Sequence, residues 1–209
     1  MSDEAFDQQS WEHRWEQALR EHGDRLATMP PNPLLVEVAS DLAPGLALDA
    51  GCGHGAEAVW LASAGWTVTA VDFSVTALDQ GRATAQALGA DIASRVDWVE
   101  HDLGRWVPSR GLYDLVSCLY VHVAGSVEQL VRRLGDGVAP GGTLLMVGHL
   151  PVDPATGAPS PAAGQRQVTI AEATSVLATD GWKILVAEER PRAAAGTGVD
   201  AVVHAVRRR

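Results

Sequence analysis

The chain has 209 residues, of which 46% are hydrophobic and 20% charged, with a formal net charge of -10 and two cysteines. That length accommodates one large domain with a substantial core, and the negative balance repels phosphate backbones, so nucleic acid is excluded as an expected partner. No apolar run is long enough to cross a membrane, and the opening "MSDEAFDQQSWEHRW" is acidic where a signal peptide is basic and then apolar, so the expected location is the cytoplasm and no membrane partner is expected.

In chain order, residues 10–22, "SWEHRWEQALREH", set Trp11, Trp15, Ala18 and Leu19 on one helical stripe that runs into the proline-rich break "MPPNP". This predicts a helical arm over residues 1–31 that packs on the main domain, 32–209, or lids its site. From residue 46 strands and helices alternate: "LALDA", a helix over 56–64, "TVTAVD", a helix over 75–88, "RVDWVEH", "YDLVSCLY" and a helix over 127–138. Val127, Leu130, Val131, Leu134 and Val138 share one stripe of that last helix, and Ser126 with Gln129 has capping-box spacing. "GTLLMVGH" follows, then the proline-rich stretch 151–166, which reads equally as functional or disordered. Thr169 and Glu172 cap a helix over 170–180, and "WKILVAEE" and "VDAVVHAV" end the series. Apolar strands alternating with amphipathic helices indicate a parallel sheet covered on both faces. The last two strands are joined by only "RPRAAAGTG", too short for a crossover helix, so they form an antiparallel hairpin and one strand is reversed. Cys52 and Cys118 lack metal-ligand spacing and read as buried free thiols, and Arg207, Arg208 and Arg209 read as a frayed, solvated end.

The chemistry concentrates in "LALDAGCGHGAEA", residues 46–58, where a buried strand ends in an acid and turns through Gly51, Gly53 and Gly55 into a helix. The free N–H groups of a helix start favour an anion, and Gly51, Gly53 and Ala56 satisfy the G-x-G-x-x-G/A dinucleotide pattern. Asp49 points the other way, because a carboxylate beside the cofactor suits the ammonium of an amino-acid moiety and repels a pyrophosphate. Asp72, at the end of the second strand, suits the hydroxyls of an adenosine ribose in either case.

"LDAGCGHG", "VTAVDFS", "EHDL", "YDLVSCLYVH" and "APGGTLLMVGH", in this order and spacing, resemble the class I S-adenosylmethionine-dependent methyltransferases over residues 32–209. The resemblance implies an α/β, Rossmann-like, doubly wound sheet of seven strands with the last antiparallel. It also implies S-adenosyl-L-methionine as cofactor, with Gly51, Cys52 and Gly53 along its methionine part and Asp49 near its amino group. Asp72 would hold the ribose, with Phe73 beside it; Asp102 would accept from the adenine amino group between His101 and Leu103; Cys118 and Leu119 would approach the methionine end through their backbone. Asp102 also reads as a plain strand-end turn residue.

An alcohol acceptor needs a base, and His122, after the fourth strand, and His149, ending the fifth, are the catalytic candidates; each reads equally as a strand-end cap. His54 reads as a helix-start residue, and His13, His22 and His204 as surface or packing residues. Glu188 or Asp153 near the two histidines would offer a divalent metal such as Mg a site, although no ligand spacing supports one. The leading expectation is methyl transfer to a small-molecule hydroxyl, on a sugar or phenol, by a monomer or homodimer. The short chain also resembles the thiopurine and tellurite-resistance methyltransferases, which act on sulfur or a metalloid, and the glycine pattern alone leaves a nicotinamide oxidoreductase or a non-catalytic nucleotide-binding module as rivals.

Overall fold

A computed structural model describes residues 8–122, 125–150, 152, 157, 166–179, 181–192 and 198–209; Asp153 and nearly all of the stretch 151–166 lie outside the described residues. Seven strands, β1 (Leu46–Ala50), β2 (Thr67–Asp72), β3 (Val96–Glu100), β4 (Tyr113–Leu119), β5 (Val138–His149), β6 (Trp182–Pro191) and β7 (Val199–Arg207), follow the order β3-β2-β1-β4-β5-β7-β6. β7 runs antiparallel to both of its neighbours, and the pairings β1 with β2, β2 with β3 and β4 with β5 are parallel. This is the doubly wound seven-stranded fold expected, with its reversed last strand. The chain falls into two compact units, residues 1–106 and 107–209.

In the first unit, α1 (Gln8–Ala27), α2 (Pro33–Ser40), α3 (Ala56–Ser63), α4 (Val75–Leu88) and the single turn α5 (Ala90–Ala93) accompany β1 to β3. Leu48, Ala50, Val68, Ala70 and Val71 are at most 1% exposed, as strands covered on both faces require. The helix α4 matches its sequence pattern because Ser74 caps it, its hydroxyl accepting from Ala77 N at 3.1 Å. Two helices depart from the sequence pattern. α2 begins at an Asn-Pro pair inside the supposed break: Asn32 caps it by accepting from Leu34 N at 2.9 Å, and Pro33 brings a pre-set φ to the first turn. α1 is longer than its stripe, running from Gln8 across a non-helical residue, His22, to Ala27. The stripe itself holds, since Trp11, Trp15, Ala18 and Leu19 are all half-buried.

In the second unit, α6 (Val127–Gly137) and α7 (Ile170–Leu177) accompany β4 to β7. The α6 stripe is at most 1% exposed along its length, each such side chain contributing about 1.5–3 kcal/mol of burial, and Ser126 accepts from Gln129 N at 3.2 Å as the capping-box spacing predicts. Thr169 likewise accepts from Glu172 N at 3.2 Å and donates its hydroxyl to the Glu172 carboxylate at 2.7 Å. The arginine end is not frayed. Arg207 lies in β7 and donates to Val138 O at 2.6 Å and Asp136 O at 3.2 Å, and Arg208 bonds Gly181 O and Trp182 O, so carbonyls at the close of α6 and the start of β6 hold these residues.

Candidate active site

The turn after β1 is held by the strand beside it. Gly51 N and Cys52 N both donate to Val71 O, at 2.8 and 3.0 Å, and Gly51, Gly53 and Gly55 all take positive φ. Asp72 ties the turn to the end of β2: one carboxylate oxygen accepts from Gly53 N and the other from Ser74 N, both at 2.9 Å. The sequence suggested a ribose ligand at this position; it did not show that the same carboxylate braces the glycine turn. Each oxygen keeps a further lone pair for a hydroxyl. Burial pushes the Asp72 carboxyl above its usual range, the Glu12 charge adds to this, and the N–H bonds from Ser74, Gly53 and Phe73 oppose it.

Asp49 is 2% exposed, and Cys52 is buried with a free thiol. Burial pushes the Cys52 thiol well above its usual range, and the charges of Asp49 and Asp72 push it further. Burial disfavours a charge of either sign, whereas the Asp49 and Asp72 charges favour a cation and repel a pyrophosphate. The residues present therefore fit a sulfonium and ammonium ligand of the S-adenosylmethionine kind, and they do not fit a dinucleotide, despite the G-x-G-x-x-A match.

The arm helix α1 covers this turn. A Cβ on Gly53 would lie 2.8 Å from the Trp15 ring, so only glycine lets the indole sit there at φ +50. Trp15 also packs against His54, ring centroids 5.5 Å apart, and burial holds the His54 imidazole below its usual range. Glu12 accepts from Thr76 N at 3.0 Å and from the Thr76 hydroxyl. Burial raises the Glu12 carboxyl, but bonds from Ser74 and Thr76 together outweigh it and leave it below the usual carboxylate range. Gln8 donates to Phe73 O at 2.8 Å. The sequence showed the stripe of α1 but not that Glu12 and Trp15 are what it brings to the turn.

Past β3, His101 and Asp102 are exposed and Leu103 is buried. Asp102 accepts from Gly104 N at 2.7 Å through one oxygen, which is the turn-residue role, and its other oxygen lies 3.9 Å from Arg105.

The second unit carries a cluster that sequence reasoning only half found. His149, at the end of β5, places ring nitrogen Nδ1 2.9 Å from Oδ1 of Asp200, which is 2% exposed on β7. The pairing of β5 with β7 sets His149 opposite Asp200. The Tyr120 hydroxyl donates to Asp200 Oδ2 at 2.8 Å, and its ring stacks on His149 with centroids 4.2 Å apart. Arg192 donates to Asp200 Oδ1 at 3.1 and 3.3 Å and lies 2.6 Å from His149 Nδ1. Burial raises the Asp200 carboxyl, but the bonds from His149, Arg192 and Tyr120 outweigh it and hold it below its usual range. Tyr120 is the one non-glycine residue at positive φ among the described residues, at 57, a conformation costing about 1–2 kcal/mol that its ring and hydroxyl contacts offset. A lone acid opening the apolar run "VDAVVHAV" was a signal for Asp200 that patterning alone passed over. Nothing local marks Tyr120 or Arg192.

Gln167 completes this cluster. Its Oε1 accepts from His149 N at 2.7 Å, and its Nε2 is buried without a partner among the described residues. His122 lies three residues beyond β4, half-buried, and Cys118 is buried while Leu119 is half-buried. Among the described residues no group of three or more His, Cys, Asp or Glu is arranged to hold a metal ion, and Glu188 pairs with Arg190.

Residues 47–142 match a family model described as a methyltransferase domain. The ubiquinone biosynthesis O-methyltransferase of Rickettsia canadensis (strain McKiel) is 34% identical over 101 residues, 47% of this chain and 40% of that protein. Thiocyanate methyltransferase 1 of Brassica oleracea is 27% identical over 194 residues, 90% of this chain and 80% of that protein. The chain thus spans about 40% of the length of the ubiquinone-biosynthesis relatives it matches. Among solved structures, an S-adenosylmethionine-dependent methyltransferase from Mesorhizobium loti aligns with TM-score 0.67 at 20% identity, over 84% of this chain and 96% of that one. Magnesium protoporphyrin IX methyltransferase from Synechocystis PCC 6803, with bound SAH, aligns with TM-score 0.64 at 21% identity, over 84% and 80%. A methyltransferase domain is thus matched over residues 47–142, and the seven-stranded fold around it is the one these solved S-adenosylmethionine-dependent methyltransferases share.

Proposed function

We propose that the protein transfers a methyl group from S-adenosylmethionine to a hydroxyl of a small molecule, a sugar or a phenol, with His149 as general base. The observation that carries this reading is the His149 to Asp200 contact of 2.9 Å. With Nδ1–H donating to a carboxylate, the imidazole presents the lone pair of Nε2 to an acceptor hydroxyl, and Asp200 stabilises the imidazolium formed when the proton arrives. Arg192 at 2.6 Å from the same Nδ1 competes, because accepting from the guanidinium would move the proton to Nε2 and silence the base. His122 is the second candidate for this role.

Bound S-adenosylmethionine supplies a methyl already activated on a sulfonium. For the donor, the proposal assigns Asp49 to the amino group, Gly51, Cys52 and Gly53 to the methionine part, and Asp72 with Phe73 to the ribose. His101, Asp102 and Leu103 go to the adenine, and the backbone of Cys118 and Leu119 to the methionine end. The Asp49 and Asp72 charges felt at Cys52 support the assignments to the amino group and the methionine part. Residues 1–31 act as an arm whose helix α1 lids the glycine turn, supported by the packing of Trp15 on Gly53. Orientation and exclusion of water are the tasks left to the chain.

The Brassica oleracea relative, which spans 90% of the chain, favours a second reading, methylation of a soft atom such as sulfur. That chemistry needs little base catalysis. The substitution His149→Ala separates the two. A fall in turnover of about 10²–10⁴-fold with unchanged affinity for S-adenosylhomocysteine is expected for the hydroxyl reading. Unchanged turnover on a thiol, in His149→Ala and in the double variant with His122→Ala, would establish the soft-atom reading instead.

A further inference from the structure

Gln167 has a carboxamide whose orientation is not a matter of choice. A backbone N–H can only donate, so the atom 2.7 Å from His149 N is the carbonyl oxygen and the amide nitrogen faces away from it. That nitrogen, carrying two hydrogens, is buried without a partner among the described residues, in a residue only 5% exposed. Most buried side-chain polar atoms find a partner, and an orphan amide beside the residue assigned as base points to a partner that arrives with a ligand. Its position is constrained as well: the oxygen and nitrogen of one carboxamide are so close that Nε2 lies within about 5 Å of the His149 backbone nitrogen.

The segment bearing Gln167 is clamped where it is. Val168 O packs against Gly148 so closely that a Cβ there would collide with it, and Val168 is itself 2% exposed. Thr169 then caps α7, so the residues on the carboxyl side of Gln167 are fixed by packing and by a cap. The donor is therefore preorganised beside the residue to which the proton transfer is assigned.

We propose that Gln167 is a specificity-determining residue for the acceptor: its free amide N–H groups take the lone pair of a second oxygen next to the hydroxyl that is methylated. The acceptor class is a small molecule with two neighbouring oxygens, the second an ether, carbonyl or hydroxyl oxygen able to accept. This rests on the hydroxyl reading with His149 as base, and deepens it. A site built to hydrogen-bond one substrate atom rejects the analogue lacking it far more strongly than an apolar pocket rejects a missing methylene.

The test uses the full chain with S-adenosylhomocysteine and two probes of nearly equal shape, 2-methoxyphenol and 2-ethylphenol, which differ by an oxygen against a methylene. Titration followed by NMR is expected to show 2-methoxyphenol binding at least tenfold more tightly. Gln167→Glu keeps an oxygen for His149 N–H but replaces the donor with a carboxylate, and is expected to bring the ratio to one or below. A role confined to holding His149 would leave the ratio unchanged in that variant, and this overturns the proposal. So does failure of the wild-type chain to discriminate, or to bind 2-methoxyphenol. Should Gln167→Glu not fold, the Gln167 side-chain NH₂ resonance of the wild type decides: it shifts with 2-methoxyphenol and not with 2-ethylphenol, or the proposal falls. The base assignment fails separately. Turnover that survives His149→Ala, alongside a ratio abolished in Gln167→Glu, removes the base and leaves Gln167 in place.

Discussion

At Asp200 three donors converge on one buried carboxylate, and the fate of the cluster follows from that charge. Asp200→Asn keeps the shape and removes the acceptor strength, leaving the Arg192 guanidinium, four-fifths buried, without its counter-ion. Breaking such a pair costs about 3 kcal/mol, the low end for buried ion pairs because Arg192 retains some solvent. The same change removes what fixes the His149 ring, so turnover on a hydroxyl acceptor is expected to fall about 10²-fold or more while donor affinity holds. Urea denaturation and steady-state kinetics check the two effects separately. Stability lost with turnover intact would make the cluster a structural ion pair and no more.

Among the elements, α1 is where structure adds most to sequence. Its stripe was legible because Trp11, Trp15, Ala18 and Leu19 follow the 3.6-residue period. What the stripe meets was not, because Gly53 and Thr76 are distant in the chain and only tertiary packing brings Trp15 and Glu12 to them. If α1 lids the donor, Trp15→Ala is expected to weaken S-adenosylhomocysteine binding about tenfold, measured by calorimetry, with a small change in melting temperature since no residue of α1 is fully buried. A strongly lowered melting temperature with affinity intact would make α1 a structural helix only. The same contrast holds elsewhere: α4, α6 and α7 announced themselves by caps and period, whereas α2 hid behind prolines that open a helix as readily as they end one. Likewise β7 could be read as reversed from its short connection, but its place between β5 and β6 comes from pairing that no local signal encodes.

For the whole molecule, acidity is the lever. Burial raises the carboxyls of Asp72 and Glu57, so both cost stability when ionised, and they take up protons in the folded chain at a pH where the unfolded chain has not yet done so. Falling pH therefore stabilises the fold through the window above their ordinary values of 3.8 and 4.5, and the net charge of -10 shrinks in the same direction. Asp200 acts oppositely: its carboxyl lies below 3.8, so its contribution is present above that value and is lost as pH drops through its own lower one. Urea midpoints are expected to rise as pH falls through the window just above the ordinary carboxylate values and to fall again at more acidic pH, with the acid limb flattened in Asp200→Asn. Buried His54, held below its usual 6.5, opposes the rise as pH falls through that value, so the test is made on the acid side of it. A midpoint that does not rise as pH falls toward the ordinary carboxylate values would contradict the burial of these acids. Donor binding should weaken over the acid range as Asp72 protonates, at a higher pH than an ordinary aspartate would require.

The order of the last strands bears on how the protein is made. On a ribosome β6 emerges before β7, yet β7 is the strand that sits between β6 and β5 and bonds to both. Until the later segment is synthesised, the earlier one has nothing to pair with, and the flank of β5 is open too. The nascent chain therefore passes through an interval with two unsatisfied backbone edges, the stage at which a chaperone would be most useful and a stalled translation product most prone to aggregate.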